Sequence, residues 1–148
     1  NATNLSEDLY TPASTPVLYA REGAKLPGSP EHMINIGLAY THYFNSGIGV
    51  AQRMDFYSQS DTRNYIGEDS QYDAKFDGFR IVNMSSTFFQ DNTYLSIFVK
   101  NIFNERGVTG AFLNPAFGPS PSQGFYGSNN REFFALPRTV GISLNRTF

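Results

Sequence analysis

The 148-residue chain has no cysteine and only two histidines. Without cysteine there is no disulfide framework, no thiolate metal site and no thiol nucleophile. The two histidines, His32 and His42, are too few and too far apart to indicate a metal site. We therefore expect neither a bound metal nor a cofactor.

Catalytic motifs and a strong charge are missing as well. The net charge of −2 indicates neither a nucleic-acid partner nor an anionic membrane surface. No nucleophile elbow, zinc-protease, phosphate-loop or dinucleotide motif is present. Four acidic residues in or beside the predicted 65–75 loop have no histidine nearby, and their spacing fits no EF-hand. We therefore expect that the protein is not an enzyme; the four acids are Asp61, Glu68, Asp69 and Asp73.

Long hydrophobic runs are absent, which excludes a transmembrane helix. The chain could still cross a membrane as β-strands, because the strands of a membrane barrel are short and half polar. A mean hydropathy of −0.35 is typical of a loop-rich barrel segment. What the chain does have is aromatic side chains, with 14 Phe and 9 Tyr, and these favour strands.

The end of the chain shows the clearest strand pattern. Val140, Ile142 and Leu144 alternate with small or polar residues, as in a strand with one apolar and one polar side. The sequence stops at Phe148, a residue that a soluble sheet would leave in water. If the apolar side faces lipid, this ring lies in the interfacial aromatic belt instead.

Four more strands with the same alternation precede it, so the fold class that we predict is an all-β antiparallel meander of about five long strands. Short turns join the strands at one end and long polar loops at the other, and each strand spans the roughly 9–11 residues of a barrel crossing. This asymmetry is typical of a segment of a transmembrane β-barrel. We assign residues 1–30 to an extracellular loop region and residues 31–148 to barrel strands. The earlier strands are predicted at 31–44, 48–63, 76–90 and from about 94 onward, with long loops at 65–75 and 107–130.

Three segments resemble parts of the TonB-dependent outer-membrane receptors. Residues 95–104, Leu-Ser-Ile-Phe-Val-Lys-Asn-Ile-Phe-Asn, are similar to the strand and Asn-Leu-Phe-Asn segment near the end of those proteins. Residues 136–148, which begin Leu-Pro-Arg-Thr-Val, resemble their terminal strand, and residues 26–32 resemble the Leu-Pro-x-x-Pro-x-His entry to an earlier one. The chain departs from the family pattern at Arg146, where an aromatic residue is usual, and at Ile102, where leucine is usual.

The resemblance implies the carboxy-terminal part of a barrel of roughly 22 strands with a plugged lumen. The whole receptor would lie in the bacterial outer membrane and import a scarce solute, such as a siderophore, a corrinoid or a glycan. Its expected partners are outer-membrane lipid, the remainder of the barrel, the plug domain, and TonB through the plug region that carries the TonB box. Two alternatives stay open: a small independent outer-membrane protein or adhesin that closes by oligomerising, and a soluble secreted β-sandwich that binds sugars.

The candidate site residues fall into three groups. Aromatic residues of the 107–130 loop are candidates for stacking on the solute, although they could equally pack the loop against itself. Charged residues on the inferred lumen side could meet the plug or the ligand, but a solvated interior wall is the interpretation that we favour. Aromatic residues near the short turns are interpreted as an interfacial girdle. The three groups are Phe112, Phe117, Phe125 and Tyr126; Arg53, Asp55 and Lys100; and Tyr40, Phe44, Phe88, Tyr94 and Phe148.

Overall fold

The computed structural model of the chain describes residues 4–12, 14–66, 74–112 and 131–148. In these ranges the chain is all-β, as predicted, and contains no helix, so none that could cross a membrane. The strands are β1 (Leu9–Tyr10), β2 (Leu18–Ala20), β3 (Met33–Tyr43), β4 (Gly49–Gln59), β5 (Thr62–Arg63), β6 (Lys75–Phe76), β7 (Phe79–Gln90), β8 (Thr93–Lys100), β9 (Val108–Phe112), β10 (Arg131–Phe134) and β11 (Thr139–Arg146).

The long strands form one five-stranded antiparallel sheet in the order β11-β8-β7-β4-β3. Short turns join β3 to β4 and β7 to β8, and each contains a residue with positive φ. Gly47 has φ 81° and Asp91 has φ 48°, as tight hairpin turns require. The sheet belongs to a compact unit made of Met33–Gln59, Phe79–Arg106 and Ala135–Phe148.

A second compact unit is made of Asn1–His32, Ser60–Gly78 and Gly107–Phe134. It consists of three small antiparallel pairs, β1 with β2, β5 with β6, and β9 with β10. Ala20, Thr62 and Phe76 are buried in it. This division differs from a boundary at residue 30, because two later segments of the chain join the amino-terminal region in this unit.

The predicted strand ranges agree with the five strands of the sheet, except for two strand boundaries at the end of the sheet opposite the short turns. The strand predicted at 48–63 ends at Gln59, and the one predicted at 76–90 begins at Phe79. Between them, β5 and β6 form a separate pair. Ser60 still exchanges hydrogen bonds with His32, but the carboxylate of Asp61 then binds two lysines, and the chain leaves the sheet.

The predicted 107–130 loop also contains structure that the sequence did not indicate. Its first residues form β9, which pairs with β10 in a small hairpin. The predicted loop region 1–30 also contains β1 and β2, and β2 overlaps Val17-Leu18-Tyr19, which the sequence indicates as a short strand. These strands have two to five residues, which is too short for alternation of apolar and polar side chains to show.

Candidate functional site

The five-stranded sheet has two faces of different chemistry, because the register keeps residues of one kind in line across the strands. We call one the apolar face. Its most complete row crosses all five strands and consists of large apolar side chains. That row is Leu38, Met54, Met84, Val99 and Val140.

Among the described residues, the apolar face is most exposed along its outer strands. Exposed fractions on it reach 57% for Leu38 on β3 and 71% for both Ile142 and Leu144 on β11. On the inner strands Met54, Phe56, Val82 and Val99 are half-buried. Val50, which the register places between His42 and Phe88, is 9% exposed. Among the described residues of the whole chain, the buried apolar side chains are only Ala20, Val50, Phe76 and Phe79.

Polar side chains also lie on the apolar face in more than one row: Ser58 pairs with Arg80 toward the loop end, Thr93 pairs with Arg146 at the short-turn end, and Gln52 pairs with Ser86 between them. Gln52 and Ser86 pair in register, and they lie at a shallow depression of about 230 Å³. Leu38, Tyr40 and Met84 are among the larger residues around it. Gln52 is a polar residue at a position of β4 that alternates with apolar ones, and the structure keeps it on this face.

The opposite face, which we call the polar face, carries the predicted lumen residues Arg53, Asp55 and Lys100. The Arg53 guanidinium donates two hydrogen bonds to the Asp55 carboxylate, from Nη2 at 2.6 Å and from Nε at 2.8 Å. This pair lies above Gly37 of the neighbouring strand. The ammonium of Lys100 lies 5.6 Å from the centre of the Phe98 ring. The structure thus places all three charges on one face, and two of them neutralise each other.

Glycines on the polar face are covered by rings from the next strand. A Cβ at Gly49 would lie 2.2 Å from Cζ of Phe89, and a Cβ at Gly141 would lie 2.3 Å from Cζ of Phe98. Each glycine therefore gives an aromatic ring room to lie over the backbone. Sequence alternation alone did not reveal these pairs, since it does not show which residues are neighbours across strands.

The residues proposed for an aromatic girdle lie near the short-turn end of the sheet, but not all on one face. Tyr40 and Phe88 lie on the apolar face, where His42 stacks on Tyr40 and meets Phe44 edge-on at 4.7 Å. Tyr94 lies on the polar face instead, beside Phe89. The last residue, Phe148, is fully exposed, and the guanidinium of Arg146 lies 5.4 Å from its ring centre.

The two carboxy-terminal segments that carry the family resemblance are hydrogen-bonded to each other. Asn101, only 2% exposed, donates from Nδ2 to the carbonyl oxygens of Glu105 and Leu136, and its Oδ1 accepts from the amide of Glu105. Asn104 accepts from the amide of Arg138 through Oδ1. Both asparagines have positive φ, 50° and 54°, a conformation that asparagine tolerates better than most residues. The Asn-Ile-Phe-Asn turn therefore holds together the two ends of the segment that connects β8 to β11.

The loop residues proposed for ligand contact fall mostly outside the described residues. Phe117, Phe125 and Tyr126 lie there, in the segment between β9 and β10. Phe112 is the last residue of β9 and pairs with Arg131 in the β9–β10 hairpin. Ligand contact by these four residues stays a prediction.

Outside the sheet, charged side chains meet around Asp61. Its Oδ2 lies 3.4 Å from Nζ of Lys75 and 3.7 Å from Nζ of Lys25, which also binds Glu31 at 3.1 Å. Burial raises the pKa of Asp61, but the hydrogen bond and charge of Lys75 and the charge of Lys25 outweigh it and hold that pKa below its usual range. The hydrogen bond to Glu31 raises the pKa of Lys25. These contacts fix the loop that carries Asp61.

Within the described ranges, no group of three or more histidine, aspartate or glutamate residues is arranged to hold a metal ion. The candidate site is therefore the sheet itself, with an apolar face that is exposed along its outer strands, a polar face that carries an ion pair, and a hydrogen-bonded turn at its loop end. No protein-family model, curated protein or solved structure matches this chain.

Proposed function

We propose that the five-stranded sheet is part of the wall of a transmembrane β-barrel in a bacterial outer membrane. The observation that carries this proposal is the apolar face, whose large side chains stand in register across five strands and are exposed along the outer strands β3 and β11. In water such a face would be strongly unfavourable, at about 25 cal/mol for each Å² of apolar surface. In lipid the same face is favourable, and the polar face lines an aqueous interior.

Backbone chemistry supports the same proposal. Each backbone amide in hydrocarbon needs a hydrogen-bond partner, and the three inner strands β4, β7 and β8 have neighbours on both sides. The outer strands β3 and β11 each have one unpaired edge in the five-stranded sheet. A membrane position requires further strands at both edges, which the remainder of a larger barrel would supply.

We further propose that this barrel belongs to a TonB-dependent receptor that imports a scarce solute. The support comes from the two segments that resemble that family, residues 95–104 and 136–148, whose asparagine turn and Leu-Pro-Arg segment contact each other. In this proposal the sheet contributes to barrel closure and to the loops, and the polar face is the lumen wall.

Single cysteines test which face meets lipid, because the natural chain has none. Ile34→Cys and Leu38→Cys point to the apolar face of β3, and Asn35→Cys and Ala39→Cys are matched controls on its polar face. Each variant is labelled with bimane in the lipid-embedded full chain, and quenching by lipids with brominated acyl chains is measured. We expect strong quenching at 34 and 38 and little at 35 and 39. Equal quenching at all four positions would exclude a lipid-facing sheet.

A further inference from the structure

Three aromatic rings form a row on the polar face at the short-turn end of the sheet. The Phe89 ring on β7 meets Tyr43 on β3 edge-on, at 5.6 Å between ring centres and 83° between planes. Tyr94 on β8 lies nearly parallel to Phe89, at 6.0 Å and 23°. The strand between β3 and β7 contributes Gly49, which leaves the space that the Phe89 ring occupies.

Local packing explains only one of these rings. Phe89 is half-buried and covers Gly49, but Tyr43 is 70% exposed and Tyr94 is 43% exposed. An interfacial girdle does not explain them either, since girdle residues belong on the lipid-facing side, and both tyrosines are on the other face. The two tyrosines thus offer ring surface and hydroxyl groups to whatever occupies the polar side.

The neighbouring residues on this face are neutral and rich in hydrogen-bonding groups. The next row contains Thr41, Thr87 and Ser96, and the hydroxyls of Thr87 and Ser96 lie 2.8 Å apart. Within the strands, charge on this face first appears one row further, at Arg53, which is roughly 14 Å along β4 from the aromatic row at about 3.4 Å per residue. In the β7–β8 turn, the acidic residue Asp91 follows Phe89 by two positions. We call Thr41, Tyr43, Thr87, Phe89, Tyr94 and Ser96 the turn-end patch.

This combination of groups selects the chemistry of a ligand. A pyranose ring has an apolar face of C–H groups, which stacks on aromatic rings, and a rim of neutral hydroxyls, which exchange hydrogen bonds with hydroxyl groups. An anionic ligand would meet no positive side chain in the patch. A long apolar ligand would cover the Thr41 hydroxyl, and the remaining hydrogen-bonding capacity of the Thr87–Ser96 pair, without supplying a partner. The turn-end patch therefore matches a neutral sugar better than either.

We propose that the turn-end patch binds a neutral saccharide, with its pyranose rings stacked along the row formed by Tyr43, Phe89 and Tyr94. The inference deepens the proposed function and rests on it for one point, that the polar face lines the solute path. It names the substrate class as neutral oligosaccharide. The binding chemistry itself depends only on the patch.

The test uses the full chain in a detergent without a sugar headgroup, because a maltoside would compete for the patch. Saturation-transfer NMR and calorimetry measure binding of maltohexaose and cellohexaose. We expect at least one of them to bind, and we expect Tyr43→Ala and Tyr94→Ala each to weaken it about tenfold, as the loss of one stacking contact predicts. Tyr40→Ala is the matched control, since Tyr40 lies on the same strand, is 62% exposed and is on the apolar face.

Binding of neither hexasaccharide would overturn the inference. So would an equal loss in the Tyr40 variant, or full binding by the Tyr43→Ala/Tyr94→Ala double variant with an unchanged circular dichroism spectrum. The lipid-quenching experiment decides the proposed function separately. Quenching on the apolar face without sugar binding refutes the saccharide site alone, whereas sugar binding without quenching supports the site and refutes the membrane position.

Discussion

Asn101 closes the excursion between β8 and β11 with one buried amide that makes three side-chain hydrogen bonds. Asn101→Ala leaves the backbone groups of Glu105 and Leu136 without these partners. We expect a loss of stability of about 1–3 kcal/mol for each group left unsatisfied. Chemical unfolding in detergent, followed by circular dichroism, measures this loss.

Two further variants separate the causes of that loss. Asn101→Gly keeps the positive φ of 50° but removes the amide, so we expect most of the destabilisation to persist. Asn92→Ala, at an exposed asparagine in the β7–β8 turn, is the control, and we expect it to change stability by less than about 0.5 kcal/mol. If Asn101→Ala loses no more stability than Asn92→Ala, the Asn101 side chain does not stabilise the connection between β8 and β11.

Gly141 and Phe98 form a second residue-scale pair that can be tested. A methyl group at Gly141 would lie 2.3 Å from Cζ of Phe98, so Gly141→Ala must displace the ring. We expect a loss of about 1–3 kcal/mol, as for other overpacked sites. In a Phe98→Ala background the same substitution has free space, and we expect little further loss. A double-mutant cycle measures this coupling, and additive effects of the two substitutions would show that the ring does not lie over the glycine.

At the scale of elements, alternation of apolar and polar residues predicted the strands that are long enough to show it. The five strands of the sheet lie within or close to their predicted ranges. What the sequence could not show are contacts between strands. The position of Tyr94 beside Phe89, and the contact between Asn101 and Leu136, depend on register and on the path of a long excursion.

The loop that carries Asp61 should respond to acid. Because the pKa of Asp61 is held low by Lys75 and Lys25, its ion pairs stabilise the loop above the ordinary aspartate pKa of about 4 and are lost as the pH falls through the lowered value. We expect amide exchange in residues 60–66, corrected for intrinsic rates, to increase below about pH 4. Asp61→Asn should make this exchange fast already at neutral pH and remove the acid response. The exposed Asp77→Asn is the control, and the same effect there would contradict the prediction.

At the scale of the whole molecule, the two faces of the sheet require different solvents. Four of the apolar residues that should face lipid are between 41% and 71% exposed, namely Ile34, Leu38, Ile97 and Ile142. A soluble β-sandwich would bury this face against a second layer. In the membrane position that we propose, lipid covers the apolar face, and the Arg53–Asp55 pair and the turn-end patch stay in water.

Lysine substitutions at opposite edges of the sheet should therefore lower its stability independently of each other. Ile36 on β3 and Leu144 on β11 are four strand spacings apart, roughly 19 Å at about 4.8 Å per strand. Lysine at a lipid-facing position costs about 2–4 kcal/mol at the bilayer midplane and less toward the interface. Effects at this distance add, so Ile36→Lys/Leu144→Lys should lower the free energy of unfolding by the sum of the single losses. Unfolding by urea in lipid vesicles measures all three variants.

The matched controls for this experiment are the neighbours of these residues on the polar face. Asn35→Lys and Ser143→Lys place the same charge on the same strands, but on the side that we assign to water. We expect each to change stability by less than about 0.5 kcal/mol. If lysine is tolerated equally on both faces, the apolar face does not lie in hydrocarbon. If only one edge responds, lipid covers part of the sheet and a protein neighbour covers the rest, because only the lipid-covered part imposes the cost of burying a charge.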